Sequence, residues 1–363
     1  MKHKLKRLLV KLGLRKSDAA PPLIKAEDIA AGSYESLAYN LVNQANKEYS
    51  VTQSSGSVID SMTTPNELTF LEVYGRDAFT GTGKIIDLGC WFGATTASLA
   101  AGLNANPKAS VDDVVEAYDL FDWDDWMDPI KESIGMNVSL KSGQCFLDIV
   151  SNNLAQYGRR VRLHKQDLSN YVVPSDWRLE FLFVDAMKNW DLASAISRNF
   201  FTKLIPGGSI MVMQDFAFYD PIVATNHLVM WHLRDFFKPL HHVPYSCSLA
   251  FVTVQVPLLE DLLDYKPELF SESDVEQAYE YCLPLVQESM RSSLIVAKLC
   301  HQIQCQHQQG ALRTMQQLEA IRLAPPMRET IMRSLEEPYS PPTSDWQSFV
   351  PQLKEKLYAI ACL

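Results

Sequence analysis

Short apolar runs recur through residues 80–257, each about a strand long and each bounded by turn-forming or charged residues. Five of them predict strands: Lys84 to Leu88, Val114 to Tyr118, Arg160 to His164, Glu180 to Val184 and Ser209 to Met213. The segments between carry helical character, at Thr95 to Leu103, Gly143 to Tyr157 and Leu192 to Leu204. Pro206-Gly207-Gly208 marks a turn directly before the fifth run, because proline cannot continue a helix there. Later runs, Ser248 to Val256 among them, predict antiparallel edge strands. Alternation of this kind predicts an α/β fold, a doubly wound and mostly parallel seven-stranded sheet of Rossmann-like form.

The flanks read differently, so three blocks are expected: a helical lead-in over residues 1–79, a cofactor-binding domain over 80–257 and a helical extension over 258–363. Pro65 followed by Asn66, Glu67 and Leu68 predicts a helix running to Tyr74. Seven Lys or Arg fall in the first sixteen residues, with Leu5, Leu8, Leu9 and Leu12 at helical spacing. That short basic amphipathic helix either docks on the body or serves a membrane-surface or transit role. Lys11, Arg15 and Lys16 break the apolar stretch that a secretory signal would need. Ser271 with Asp274, and Ser273 with Glu276, both match capping boxes. The C-terminal helices are read as dimerising, covering the cofactor site or recognising a larger acceptor. Cys300, His301, Cys305 and His307 keep no regular ligand spacing and are read as a coincidental cluster on one helix.

Composition narrows the classes. A formal charge of −10, from 33 Lys and Arg against 43 Asp and Glu, argues against a general nucleic-acid binder. The seven scattered cysteines form no CxxC pair, which points away from a disulfide framework or zinc knuckle and toward a reducing, cytoplasmic setting. No run of eighteen apolar residues exists, so no transmembrane segment is expected.

The candidate chemistry lies at predicted strand ends, where ligands bind parallel sheets. Gly89 and Gly93 bracket Cys90, Trp91 and Phe92 in the turn after the first strand. A dinucleotide site needs a middle glycine for the pyrophosphate, and this turn carries bulky side chains instead. The crowding suits a nucleoside cofactor without phosphate. Asp87 lies in the first strand unit, Asp119 ends the second strand, and Asp167 follows the third. The Asp119 carboxylate can accept both ribose hydroxyls. Phe121 and Trp123 supply a flat face for adenine or pack in the core, and Asp167 or Leu168 meets the ring edge.

These residues, with Phe181 to Asp185 and Leu204 to Asp215, resemble a class I S-adenosylmethionine-dependent methyltransferase over roughly residues 80–256. The resemblance implies that Asp87 and the Gly89 backbone hold the methionine end, in a loop that includes Trp91 and Gly93. It implies that Asp119 holds the ribose. Asp87 to Asp119 is a long interval for the family, so an extended loop is expected over Asn104 to Ser110.

Asp185 and Asp215 end the fourth and fifth strands, whose neighbours in a sheet lie about 4.8 Å apart. Two such carboxylates can share Mg2+ or another divalent cation, with Asn189 or Gln214 as a neutral oxygen ligand. The layout is similar to metal-dependent O-methyltransferases of the catechol and macrolide-sugar types. By that likeness Lys188, three residues past Asp185, is a candidate base, and His227 is another, as are His232, His241 and His242. A lysine base needs a depressed pKa. Gln214-Asp215-Phe216 lacks the second carboxylate or amide that those enzymes place after the second metal aspartate. The acidic, tryptophan-containing stretch Phe121 to Pro129 suits a sugar or polyhydroxyl acceptor. The function expected is therefore methylation of a small hydroxylated molecule. A nicotinamide-dependent oxidoreductase and a catalytically silent interaction protein with this fold are the competing readings.

Overall fold

A computed structural model describes residues 34–49, 59–319, 321 and 323–360. The basic segment at residues 1–16 lies outside them. The first described helices are α1 (Tyr34–Glu48) and α2 (Pro65–Val73). Thr64 caps α2: its hydroxyl accepts from Glu67 N–H, and the Glu67 carboxylate accepts from Thr64 N–H. Pro65 at the first turn loses no hydrogen bond there.

Then follow β1 (Lys84–Leu88), α3 (Ala94–Ala105), β2 (Val115–Asp119), α4 (Met127–Ile134), α5 (Leu147–Leu154), β3 (Val161–Lys165), β4 (Leu179–Val184), α6 (Trp190–Asn199), β5 (Ile210–Met213), α7 (Ala224–His232), β6 (Phe237–His242) and β7 (Leu249–Thr253). The seven strands form one sheet in the order β3-β2-β1-β4-β5-β7-β6. β7 pairs antiparallel to β5 and to β6, while the other pairings are parallel. This is the doubly wound, Rossmann-like sheet that the alternating pattern predicts. Helix α3 runs to Ala105, so the extended loop begins at Asn106, later than Asn104.

Alternation along the strands divides the interior in two. Ile85, Val115, Phe181, Phe183, Ile210 and Val212 face α1, α2 and α3. Ile86, Leu88, Leu182, Val184, Met211 and Met213 face α6, α7 and α8 (Glu272–Cys282). Both faces of the central strands are buried, which is why they read as continuous apolar runs. The α2–α3 crossing is tight: a Cβ on Gly102 would stand 2.3 Å from the Glu72 carbonyl oxygen. At the amino edge of the sheet the Glu180 carboxylate accepts from the N–H of Thr80, Thr82 and Gly83 and from both threonine hydroxyls. Those bonds satisfy a buried carboxylate and bind the entry to β1 onto β4.

Beyond Thr253 the described residues form no strand. Helix α8 has Ser271 as its cap, with the reciprocal Asp274 bond; Ser273 lies inside the helix. Helices α9 (Arg291–Gln304), α10 (Gln308–Glu319), α11 (Pro325–Ser334) and α12 (Ser344–Ala359) bury Leu299, Ile303, Met315, Ile331, Trp346 and Leu353 in a cluster of their own. Cys300 and His301 belong to α9, Cys305 caps it and His307 precedes α10. The cysteine–histidine group therefore straddles two helices, not one, because the chain turns at Gln306 with φ 58°.

Candidate active site

The strand order reverses between β1 and β4, and the turns leaving these strands meet there. Asp185, the first residue after β4, donates its N–H to the Leu88 carbonyl at 2.8 Å. Gly89 has φ +86°, and a Cβ on it would stand 3.0 Å from the Asp185 carbonyl carbon and oxygen. Glycine is required at this point by backbone conformation and by close approach alike. A crevice at such a switch point is where open α/β sheets bind ligands.

The turn after β1 is shaped by Asp119. Its Oδ2 accepts from Trp91 N–H at 2.9 Å and its Oδ1 from Phe121 N–H at 2.8 Å. Trp91 (φ 46°) and Phe121 (φ 53°) both occupy the left-handed region. Non-glycine residues held there are strained and concentrate at functional sites. Each Asp119 oxygen keeps a second lone pair, and the side chain is half-buried. Burial pushes its carboxyl pKa up, against the pull of the two backbone N–H groups.

Asp87 is fully buried in β1. Its Oδ2 accepts from the hydroxyls of Thr95 (2.8 Å) and Thr96 (2.6 Å) in the first turn of α3. Its Oδ1 is buried with no protein partner, and so is the indole N–H of Trp91. Burial, partly offset by the two threonines, pushes the Asp87 carboxyl up to about 6. An orphaned acceptor and an orphaned donor therefore belong to this one strand–turn unit.

Four residues expected at the adenine are placed elsewhere. Phe121 is fully buried and packs edge-on against Phe146 at 5.8 Å; Trp123, 1% exposed, meets the same ring. Neither offers a free face, because the loop folds inward to fill the space over α5. Leu168 is a core residue of the α6 face. Asp167 is exposed, and its carboxylate accepts from Ser169 N–H, Ser169 Oγ and Asn170 Nδ2, closing a local turn. The apolar side chain that stays open beside Asp119 is Leu120, 54% exposed.

The second constellation centres on Lys188. Its ammonium donates to Asp185 Oδ1 at 2.5 Å, to Asp215 Oδ2, and to Gln214 Oε1 at 3.5 Å. The side chains of Lys188, Asp185 and Asp215 are 34%, 26% and 20% exposed, so the cluster opens to solvent. Asp215 stands in the left-handed region at φ 62°. Burial acts to lower the Lys188 pKa, but its two carboxylates outweigh that and raise it. The lysine is held as a cation, the opposite of what a lysine base requires. Burial and Asp215 together push the Asp185 carboxyl up, against Lys188. Two carboxylates with one ammonium leave a single excess negative charge.

The remaining sequence candidates are otherwise engaged. Asn189 caps α6, its Oδ1 accepting from Leu192 N–H at 2.8 Å. His227 is fully buried; Nε2 lies 2.6 Å from the Phe216 carbonyl oxygen and Nδ1 2.9 Å from the Tyr279 hydroxyl. Burial pushes its pKa down to about 4, and it faces α8 in place of the cluster. His241 and His242 are likewise buried, in β6. Among the described residues no group of three or more His, Cys, Asp or Glu could hold a metal ion. Phe216, next to Asp215, is buried in the core.

One residue was not anticipated. Asn226, 3% exposed, donates from Nδ2 to the Gln214 carbonyl at 3.4 Å and leaves its Oδ1 without a partner. Thr225 beside it donates to the Met187 carbonyl at 3.1 Å. These α7 residues face the cluster, whereas the adjacent His227 points away. The polar run Thr225-Asn226-His227 is visible in the sequence, but only the phase of the helix decides which member turns inward.

The chain has a doubly wound, Rossmann-like α/β fold with β7 reversed beside β5. No protein-family model matches the sequence, and no curated protein matches it. Among solved structures, a calicheamicin methyltransferase, CalS11, is 12% identical; the match covers 66% of this chain and 99% of that one, with a TM-score of 0.41. The O-methyltransferase NovP is 13% identical over 61% of this chain and 98% of that one, with a TM-score of 0.42. Likeness at this level carries neither a residue role nor a substrate over to this chain.

Arg333 of α11 lies 3.8 Å from Asp220, and Tyr219 packs against the C-terminal helical core. In the acidic loop Asp122 pairs with Lys165 at 2.5 Å and Asp128 with Lys131 at 3.0 Å, while Trp126 stays 52% exposed.

Proposed function

We propose that this chain is an S-adenosylmethionine-dependent methyltransferase that methylates a hydroxyl of a small polar acceptor, of the sugar or polyhydroxyl class. The observation that carries the reading is the pairing of two sites across one switch point. On one side Asp87 Oδ1 lacks a partner and Asp119 has lone pairs to spare. On the other side lies a solvent-open anionic cluster.

When bound, the cofactor supplies an electrophilic methyl group on a sulfonium. Asp87 would accept from its ammonium, the Trp91 indole would donate to its carboxylate, and Asp119 would accept from the ribose. The acceptor hydroxyl donates to a carboxylate of the Asp185–Asp215 pair, which takes the proton as the oxygen becomes nucleophilic. Lys188 stays charged and holds both carboxylates in place. Alignment of oxygen, methyl carbon and sulfur then supplies most of the acceleration.

Exposed Trp126 with Asp124 and Asp125 supports a polyhydroxyl acceptor, since an aromatic face beside carboxylates suits a sugar ring. A nicotinamide dinucleotide is disfavoured because buried Phe92 and Trp91 stand where a pyrophosphate needs bare backbone. Residues 80–257 are read as the catalytic unit, with helical additions at 1–79 and 258–363. The free thiols at Cys90, Cys145, Cys247, Cys282, Cys300 and Cys305 support action in a reducing compartment such as the cytoplasm. No helix among the described residues is long and apolar enough to cross a membrane.

Calorimetric titration with S-adenosylmethionine and its demethylated product tests the reading. One-to-one binding is expected. Absence of heat with both ligands, or tighter uptake of a nicotinamide dinucleotide, overturns it.

A further inference from the structure

We infer that Lys188 is the resident cation of this site, standing where the resemblance to metal-dependent enzymes places a divalent ion between two strand-end carboxylates. The ammonium has three N–H donors and three oxygen neighbours: Asp185 Oδ1 at 2.5 Å, Asp215 Oδ2 in contact, and Gln214 Oε1 at 3.5 Å. Its position is anchored at both ends. Lys188 N–H closes a turn on the Ala186 carbonyl at 2.9 Å, and the next residue, Asn189, is fixed as the cap of α6.

The oxygen set does not fit a divalent ion. A hard divalent cation is held by one or more free carboxylates and fills its other positions with neutral oxygens and water. Here each carboxylate already holds the ammonium through one oxygen, no third His, Cys, Asp or Glu joins them among the described residues, and the position after Asp215 is the buried Phe216. Adding an ion would require expelling a tethered cation from between the two anions. The charge consequence differs as well. A divalent ion would bring the two carboxylates to neutrality, whereas lysine leaves one anionic charge over. This inference rests on the site of the proposed methyl transfer, but its test uses neither cofactor nor acceptor.

The test is Mn2+ uptake by the full-length protein after chelator treatment and desalting, read from loss of the free-ion electron paramagnetic resonance signal. Wild type is expected to take up no Mn2+ at millimolar concentration. Lys188→Gln, which leaves the carboxylates unpaired, is expected to gain at least tenfold in Mn2+ affinity, and adding Asp215→Asn is expected to abolish the gain. One Mn2+ bound by wild type and lost in Asp215→Asn overturns the inference. So does a Lys188→Gln protein, folded by circular dichroism, that gains nothing. If that variant does not fold, the wild-type measurement decides alone. Failure of cofactor titration would remove the proposed activity and leave this result standing.

Discussion

Gly89 and Asp185 lock the two halves of the sheet together at its switch point. A single methyl on Gly89 would stand 3.0 Å from the Asp185 backbone, on a residue already at φ +86°. Gly89→Ala is expected to cost roughly 1–2 kcal/mol from the left-handed conformation alone. The clash must also displace the turn carrying Asp185. A lowered melting temperature together with weaker cofactor binding is the expected result. Unchanged binding in a folded Gly89→Ala protein would show that the two turns do not build one site.

Asp119 holds its own loop as well as facing the crevice. In Asp119→Asn one carboxylate oxygen becomes an NH2 group facing the N–H of Trp91 or Phe121. A donor opposed to a donor leaves a polar group unsatisfied, at about 1–3 kcal/mol. Denaturant unfolding should report that loss, and calorimetry should report cofactor affinity reduced at least tenfold. If stability falls and affinity does not, Asp119 shapes the turn without touching the ligand.

Asp215→Asn separates chemistry from binding. The substitution keeps the size of the side chain and removes one of the two charges on Lys188. Turnover is expected to fall at least a hundredfold, while affinity for S-adenosylmethionine changes less than threefold. Equal losses in both would move the cluster from the acceptor side to the cofactor side.

Acid sensitivity follows from buried histidines. Burial pushes His227 and His241 down to about 4, and His242 and His301 down to about 3. Unfolded histidine titrates near 6.5, so below that pH the unfolded chain binds more protons than the folded one. This part of the stability is complete above pH 6.5 and is lost as pH falls toward the folded values. Between pH 7 and 5 the loss is roughly 1–2 kcal/mol per histidine. Asp87, raised to about 6, works the other way, since the folded chain holds its proton longer. Burial also raises Asp185, Asp119, Glu67 and Asp220, which act with Asp87, so the melting temperature is expected to drop from pH 7 to pH 5 by less than four imidazoles alone would give. A melting temperature that holds level or rises over that range would mean that the imidazoles are not buried.

Strand positions were legible because both faces of the central strands are buried, so runs such as Phe181 to Val184 have no polar interruption. The cap at Ser271 was legible because a capping box is a local bond between residues three apart. Other residues were legible only as types. Phe121 and Trp123 follow the right strand for an adenine face, yet the loop buries both against Phe146. His227 lies after the right strand for a base, yet helix phase turns it toward Tyr279 and presents Asn226 to the cluster.

The amino-acid sequence by itself determined the alternating sheet, the glycine turn and which strands end in carboxylates, because these depend on neighbours within a few residues. Only the tertiary structure decided what each carboxylate does. Asp87 keeps a free oxygen, Asp119 ties two strained turns, and Asp185 and Asp215 close on Lys188. A charge acquires its role from the groups packed around it, and Trp91, 28 positions from Asp119, and Asp215, 27 positions from Lys188, become neighbours only once the sheet has brought β2, β1, β4 and β5 side by side.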